Sequence, residues 1–561
     1  MSNMKKRLSL LLVGALCLSF TACGSKPAES SSGAPASSAA PASSAAPASS
    51  APAGSGQEGE AKTYDKKLKI QYANVAPIEG YDYNAGDPYA QFWSEKFNWE
   101  LEIVSFSWDN WNETIRIWAN SGDMPDVSIF NYGRGTQPDA ASWAEQGLVK
   151  RLPDDWKERW PNAARVFEKT SLGPQMEEQY GGVYFLPRAR FDVNLPGDPL
   201  PNHQIMYIRK DWADAVGFPI KDAYKVSEIM DYARLVKEQD PGGLGGNLVP
   251  IASYPTHALQ MFVQHNSTFY DTFYKDADGV YQWGGTSPDT LLGLQLMYQA
   301  FEEGLLHPEF YALKADQDDD MFRIAGTAAS VYTDGTATGM QVNMMARFTE
   351  SVGIDAREAV HAVPVLGEDG KFHQQDLINY WGTIVFAPDI EDEKFERYMD
   401  ALDFGCTEEG YRIQTAGFEG EDYEYDANGN MVSLLPEGMP LESSEGKYPS
   451  IGGYMLANLK LWDDFSFETP VVDQHWRDVS KAAYDNKVKY GTPETFAKTD
   501  WVSWAYDSPA RRQASFKYED EYVGIVTNSR SLEEVETNWK AWIDSKMPMI
   551  QPVLDELNAL G

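Results

Sequence analysis

From Leu68 onward, strand-like and helix-like segments alternate, and this alternation restricts the fold class before any motif is considered. Residues 68–73 read as a strand, 89–97 as a helix, 101–106 as a strand, 111–119 as a helix, 126–130 as a strand and 140–147 as a helix closed by glycine. The pattern repeats with a strand at 204–208, helices at 210–216 and 227–238, and a strand at 249–253. Strands joined through helices tend to run the same way, so each half predicts a mainly parallel sheet flanked by helices. Ligands of such sheets bind beyond the carboxyl ends of the strands. Those ends are residues 74–81, 107–110 and 131–136.

Two later helices carry their own boundaries. Ser287-Pro288 supplies a cap and a first-turn proline, and Gly304 a stop. Between them Leu291, Leu294, Met297, Phe301 and Leu305 recur at helical spacing. Near the C terminus Ser531 and Glu534 form a capping box, followed by a stripe of Val535, Trp539, Trp542 and Ile543. Both stripes read as core. Two α/β units without a clear second linker imply two lobes with crossovers, and a cleft between lobes is the usual home of a small-molecule site.

The first 65 residues belong to neither lobe. Lys5, Lys6 and Arg7 precede an apolar run at 8–18, followed by Ser19-Phe20-Thr21-Ala22-Cys23-Gly24. This reads as an export signal at 1–22, too short to span a bilayer. Its end resembles a bacterial lipobox, with Phe20 where Leu, Val or Ile is usual. The resemblance implies lipidation of Cys23, and two or more acyl chains suffice for stable anchoring. APASSA then recurs three times over 34–51. Ala, Ser and Pro offer no large apolar surface to offset the entropy of ordering, so 23–65 reads as a disordered tether. The expected location is the cell surface, on the outer face of the cytoplasmic membrane.

The formal charge of −37 argues against nucleic acid, whose binding rests on neutralising phosphates. Once Cys17 leaves with the signal and Cys23 is acylated, Cys406 has no disulfide partner and reads as a buried small hydrophobe. Strong catalytic signatures are missing: HExxH, GxSxG and a phosphate-binding loop are all absent from the sequence. The seven His are scattered without metal-ligand spacing. Asp316, Asp318, Asp319 and Asp320 resemble part of a calcium loop but lack its Gly and distal Glu, and read as a solvated helix start. With 84 acidic residues some carboxylate pair always falls at a glycosidase-like separation, so abundance carries no weight. Aromatic residues are plentiful, with 17 Trp and 30 Tyr, and rings of this kind cover the flat C–H faces of sugars at small entropic cost. Trp108, Tyr132, Tyr254, Tyr332, Tyr380 and Trp381 fall in loops at strand ends.

Several segments resemble the family 1 extracellular solute-binding proteins of ABC importers, in particular the large oligosaccharide-binding lipoproteins. They are Ser121-Gly122-Asp123-Met124-Pro125-Asp126-Val127, Tyr180-Gly181-Gly182-Val183-Tyr184-Phe185-Leu186-Pro187, and Tyr207-Ile208-Arg209-Lys210-Asp211-Trp212 followed by Val216-Gly217-Phe218-Pro219. The run from Asp278-Gly279 to Pro308-Glu309-Phe310 and Gly326-Thr327-Ala328-Ala329 add to them. The resemblance implies an α/β, two-lobed periplasmic-binding-protein-like fold of type II with extra C-terminal helices. The first lobe is expected at 66–188 plus about 382–460, and the second at 189–381 plus about 461–561. It implies a binding protein rather than an enzyme, without cofactor or metal, acting as a monomer that hands an oligosaccharide to permease subunits. A peptide or other polar solute, or a surface glycoside hydrolase, are the alternatives. The expected ligand contacts are Trp108, Tyr132 and Arg134 in the first lobe, Arg188 and Arg190 near the crossover, Tyr254, Tyr332 and Asp334 in the second lobe, and Tyr380 and Trp381 at the return crossover. Some members of the family hold calcium in a loop that corresponds here to residues 240–247, where only Asp240 and Asn247 could serve, so no calcium is expected there.

Overall fold

Two sheets organise the chain. In the computed structural model the described residues are 62–560, apart from 76, 134–135, 171, 190–203, 338, 376–379, 428–430, 437–438, 443–445, 454–471, 493–494 and 498–499. The export signal, the lipidation of Cys23, the tether, Arg134 and Arg190 therefore lie outside the described residues, as does the side chain of Trp381. Residues from Thr63 onward form one unit.

The first sheet begins with β1 (Leu68–Val75), α1 (Pro88–Lys96), β2 (Trp99–Phe106), α2 (Trp111–Ser121), β3 (Val127–Phe130) and α3 (Gln137–Gln146), and then adds β4 (Leu186–Ala189). The second is built on β5 (Gln204–Arg209), followed by α4 (Lys210–Val216), α5 (Val226–Gln239), α6 (Pro255–Leu259), α7 (Pro288–Glu302), α8 (Gln317–Arg323), β6 (Ser330–Asp334) and β7 (Val360–Val363). The chain then returns to the first sheet with β8 (Tyr380–Phe386) and α9 (Asp392–Gly405). It closes with α10 (Gln474–Tyr490), α11 (Trp501–Ala505), α12 (Tyr518–Thr527) and α13 (Leu532–Ala559).

Local chemistry accounts for the helix starts. Asp87 caps α1 by accepting from the Ala90 N–H, with Pro88 in the first turn. Ser287 caps α7 by accepting from the Asp289 N–H. In α13, Ser531 accepts from the Glu534 N–H, while the Glu534 carboxylate reaches back to the Arg530 N–H, one residue before the expected partner.

Strand direction is where the sequence expectation of mainly parallel sheets needs correction. In the first sheet, ordered β2-β1-β3-β8-β4, β1 is parallel to β2 and β3, but β8 is antiparallel to both β3 and β4. In the second, β5 lies antiparallel to β7 and β6. Parallel bridges from Val249 and Ala252 to Ala328 and Val331, and from Ile251 to Leu306, extend it beyond β6. Each sheet thus joins parallel βαβ neighbours to antiparallel strands that come from distant parts of the chain. Local alternation encodes the former and is silent on the latter.

Two cores result. One gathers buried residues of 68–189, 380–451 and Trp504, with Trp93, Trp99, Trp143 and Trp160 almost fully enclosed. Truncating any of these rings to Ala costs about 3–5 kcal/mol. The other packs α5, α7, α12 and α13 together, with Trp539 and Trp542 buried and Ile543 half-buried against it. Cys406 is buried, and burial pushes its thiol pKa well above the usual range. No described helix is long and apolar enough to cross a membrane.

Candidate functional site

The polar centre of the second lobe lies where the 249–252 segment ends. Tyr254 leads into α6, which carries His257, while α8 brings Asp318 and Asp319 from the other side. Asp318 is fully buried and Asp319 is 6% exposed. The Asp318 Oδ2 accepts from the Tyr254 N–H at 3.1 Å and lies 2.8 Å from His257 Nδ1. The Asp319 Oδ2 accepts from the Thr333 hydroxyl at 3.1 Å, with the Arg323 guanidinium 3.9 Å away. Burial, then the neighbouring Asp318 charge, push the Asp319 carboxyl up to about 7. Behind them the Tyr332 hydroxyl meets His265 Nε2 at 2.8 Å. His265 is buried and held neutral, its pKa pushed down to about 3 by desolvation first and then by Lys487 and His373.

The expectation of a solvated helix start at 316–320 therefore fails for Asp318 and Asp319. The signal was present: Phe322, also fully buried, lies four residues after Asp318 and three after Asp319, so one helix face carries all three. Four acids within five positions masked it.

In the first lobe, Trp108 follows the end of β2. It is 47% exposed and stands edge-on to buried Trp111 at 5.6 Å. Trp111 is fixed by donating from Nε1 to the Ile129 carbonyl at 2.7 Å. Tyr132 follows β3, and its hydroxyl meets that of Tyr180 at 2.7 Å, while Tyr380 donates to the Tyr132 carbonyl at 2.8 Å. Trp504, on α11, packs its ring 5.5 Å from Tyr132 and accepts from the Gln137 side chain through its carbonyl. Its neighbour Ser503 lies 3.5 Å from the carbonyl of Phe273, a residue of the second core. Helix α11 thus touches both lobes. Sequence reasoning missed it because a five-residue helix shows no periodicity.

The ten expected ligand contacts separate by burial. Trp108 is exposed, and Tyr254 and Asp334 are half-buried. Asp334 accepts from the Thr336 N–H at 2.9 Å and the Thr336 hydroxyl at 3.2 Å. Tyr132, Tyr332 and Tyr380 are buried. Arg188 is 1% exposed, on a strand buried throughout and near Tyr72 and Tyr398, with its pKa pushed down to about 10 by burial. Its place is inside the first core, which corrects its assignment as a ligand contact. The structure pairs Tyr132 with Tyr380, and Tyr254 with Tyr332 across His257, whose ring lies 4.4 Å and 6.3 Å from theirs.

In the loop expected to lack calcium, both carboxylate oxygens of Asp240 accept loop N–H groups, from Leu244 at 2.9 Å and Gly245 at 2.8 Å. Calcium takes about six to eight oxygen ligands, and this glycine-rich loop does not fit it.

No family model matches the chain, and no curated protein does either. Solved structures do. An alginate-binding protein, AlgQ2 without calcium ion, aligns with a TM-score of 0.60 and 17% identity over 88% of this chain and 98% of that one. The Streptococcus pneumoniae ABC-transporter substrate-binding protein FusA, in complex with kestose, aligns with a TM-score of 0.58 and 15% identity over the same shares. An HMO-binding, ABC-transporter-associated solute-binding protein from Bifidobacterium longum infantis gives 0.56 and 15%, again over 88% and 98%. The chain has the two-lobed α/β fold of these solute-binding proteins.

Proposed function

We propose that this chain is the substrate-binding lipoprotein of an ABC importer, capturing an oligosaccharide between its lobes and delivering it unaltered to a membrane permease. The observation that carries the reading is the extent of the shared fold: 98% of an alginate-binding and of a kestose-bound binding protein aligns with 88% of this chain. The exposed Trp108 ring beyond β2 and half-buried Tyr254 beyond the 249–252 segment offer flat faces for sugar stacking, and Asp334 offers a hydroxyl acceptor. Anchoring through Cys23 to the outer face of the cytoplasmic membrane, action as a monomer and the absence of catalysis complete the proposal.

The mechanism is a hinge equilibrium. A ligand that touches both lobes only when they are closed favours that state by its differential affinity. Shifting the population from 1:99 to 99:1 takes about 5.5 kcal/mol, and micromolar binding releases about 8.2 kcal/mol in total. The test is calorimetric titration of alginate, fructan and milk oligosaccharides into the protein and into Trp108→Ala. At least one sugar binds the parent, and the variant loses about tenfold in affinity, or about 1.4 kcal/mol. Silence across the panel, or equal affinity in the variant, counts against the reading.

A further inference from the structure

Among the described residues, one group of three metal-capable side chains converges: His257, Asp318 and Asp319 each place one ligand atom within 4.8 Å of the others. They are poorly balanced as they stand. The protein donors reaching the two carboxylates, the Tyr254 N–H, the Thr333 hydroxyl and His257, all address the Oδ2 atoms. Asp318 Oδ1 and Asp319 Oδ1 are buried without a hydrogen-bond partner. Among the described residues the cation paired with Asp319 is Arg323, 3.9 Å away, and it directs its Nε to Asp320 at 2.9 Å and its Nη1 to the Asn343 carbonyl at 3.1 Å. Two adjacent buried carboxylates with open oxygens are costly unless something positive joins them.

Buried carboxylates elsewhere in this chain are handled differently. Asp87 Oδ1 accepts from Ala90 N–H and the Ser450 hydroxyl, and its Oδ2 from the Tyr81 hydroxyl and Ser450 N–H. Asp422 Oδ1 accepts from Lys447 and Tyr448, and its Oδ2 from Phe418 N–H and Tyr448. In both, each oxygen is occupied. Asp500 Oδ2 is also buried without a partner, but among the described residues only Asp318 and Asp319 place two such carboxylates beside an imidazole.

We propose that His257, Asp318 and Asp319 form a binding site for a first-row divalent cation of the Zn2+ class, at the end of the 249–252 segment beneath Tyr254. The donor set decides the class. One imidazole nitrogen with two carboxylate oxygens suits Zn2+ and its neighbours, whereas Ca2+ and Mg2+ take oxygen alone. Ligands about 2.0–2.2 Å from such an ion stand roughly 3–3.5 Å apart, so a pair at the 4.8 Å limit closes by roughly 1.3–1.8 Å through side-chain rotation. A bound cation keeps both carboxylates ionised and occupies their open oxygens. The Tyr254 N–H and Thr333 hydroxyl then act as outer partners that orient the ligands, as supporting donors do in metal sites generally. The site is separate from the 240–247 loop and departs from the sequence expectation of no metal.

The test uses the purified chain, stripped with a chelator and dialysed against Zn2+, Mn2+ or Ca2+, with bound metal counted by elemental analysis and affinity read by calorimetry. One Zn2+ per chain is expected, with Ca2+ bound weakly or not at all. His257→Gln and Asp319→Asn each weaken Zn2+ by at least ~10-fold, and Co2+ in the same site gives visible absorption that both variants lose. Circular dichroism of the metal-free variants establishes that they fold. If Asp319→Asn does not fold, His257→Gln, at a position less enclosed than Asp319, decides alone. No stoichiometric Zn2+, a preference for Ca2+, or unchanged Zn2+ binding in His257→Gln overturns the proposal. The readout is metal itself, so failure of the oligosaccharide reading leaves it standing, and the reverse holds too.

Discussion

The two lobes bury carboxylates on opposite terms. In the first, Asp87 and Asp422 act as staples: each draws together segments far apart in sequence or within a loop, and each oxygen meets a donor. Asp422 sits so close to its loop that a Cβ at Gly417, where φ is +83°, would come within 2.1 Å of Oδ2. In the second lobe, Asp318 and Asp319 are enclosed as deeply but keep an oxygen each without a partner. A satisfied buried charge helps specify structure, whereas an incompletely satisfied one calls for a cause, such as strain, a water or the cation proposed above.

The sharpest way to break this contrast is to remove a staple. Asp422→Ala leaves Tyr448 and the Phe418 N–H without their acceptor, and is expected to cost about 3–5 kcal/mol in urea unfolding. A loss below about 1 kcal/mol would erase the distinction. Next in size is acid sensitivity in the second lobe. His265, facing Tyr332, Lys487 and His373, stays neutral in the fold, with its pKa at about 3. Unfolded, it titrates near ~6.5, so between these values the unfolded chain binds the extra proton. The contribution is fully present above ~6.5 and is lost as pH falls, by about 2 kcal/mol at pH 5. His265→Gln should flatten that part of the stability profile, and an unchanged slope would place the acid sensitivity elsewhere. Smallest, and opposite in sign to Asp422→Ala, is Asp319→Asn in metal-free protein. Removing a poorly compensated buried charge should raise stability by about 1 kcal/mol, read from the urea midpoint. A clear loss would make Asp319 another staple.

How far the sequence revealed this contrast depended on range. Strands β1 and β2 and helices α5 and α7 were legible because periodicity and caps are local properties. The antiparallel placement of β8 was not, since its partner β3 lies some 250 residues earlier and no local pattern names it. Trp108 was legible as an exposed aromatic beyond a strand. Arg188 was not legible as a core residue, because a guanidinium is buried only when the surrounding tertiary structure allows it. Asp318 and Asp319 needed the helical phase of Phe322 to outweigh the polarity of their neighbours.

The central claim is that a two-lobed clamp holds a sugar without changing it. Its most direct test is equilibrium dialysis of the purified protein against mixed alginate, fructan and milk oligosaccharides, with mass spectrometry of what the protein retains. Retention of one sugar class at micromolar affinity, recovered at its original mass, is the expected result. Recovery of shortened products, or no retention at all, would contradict the account.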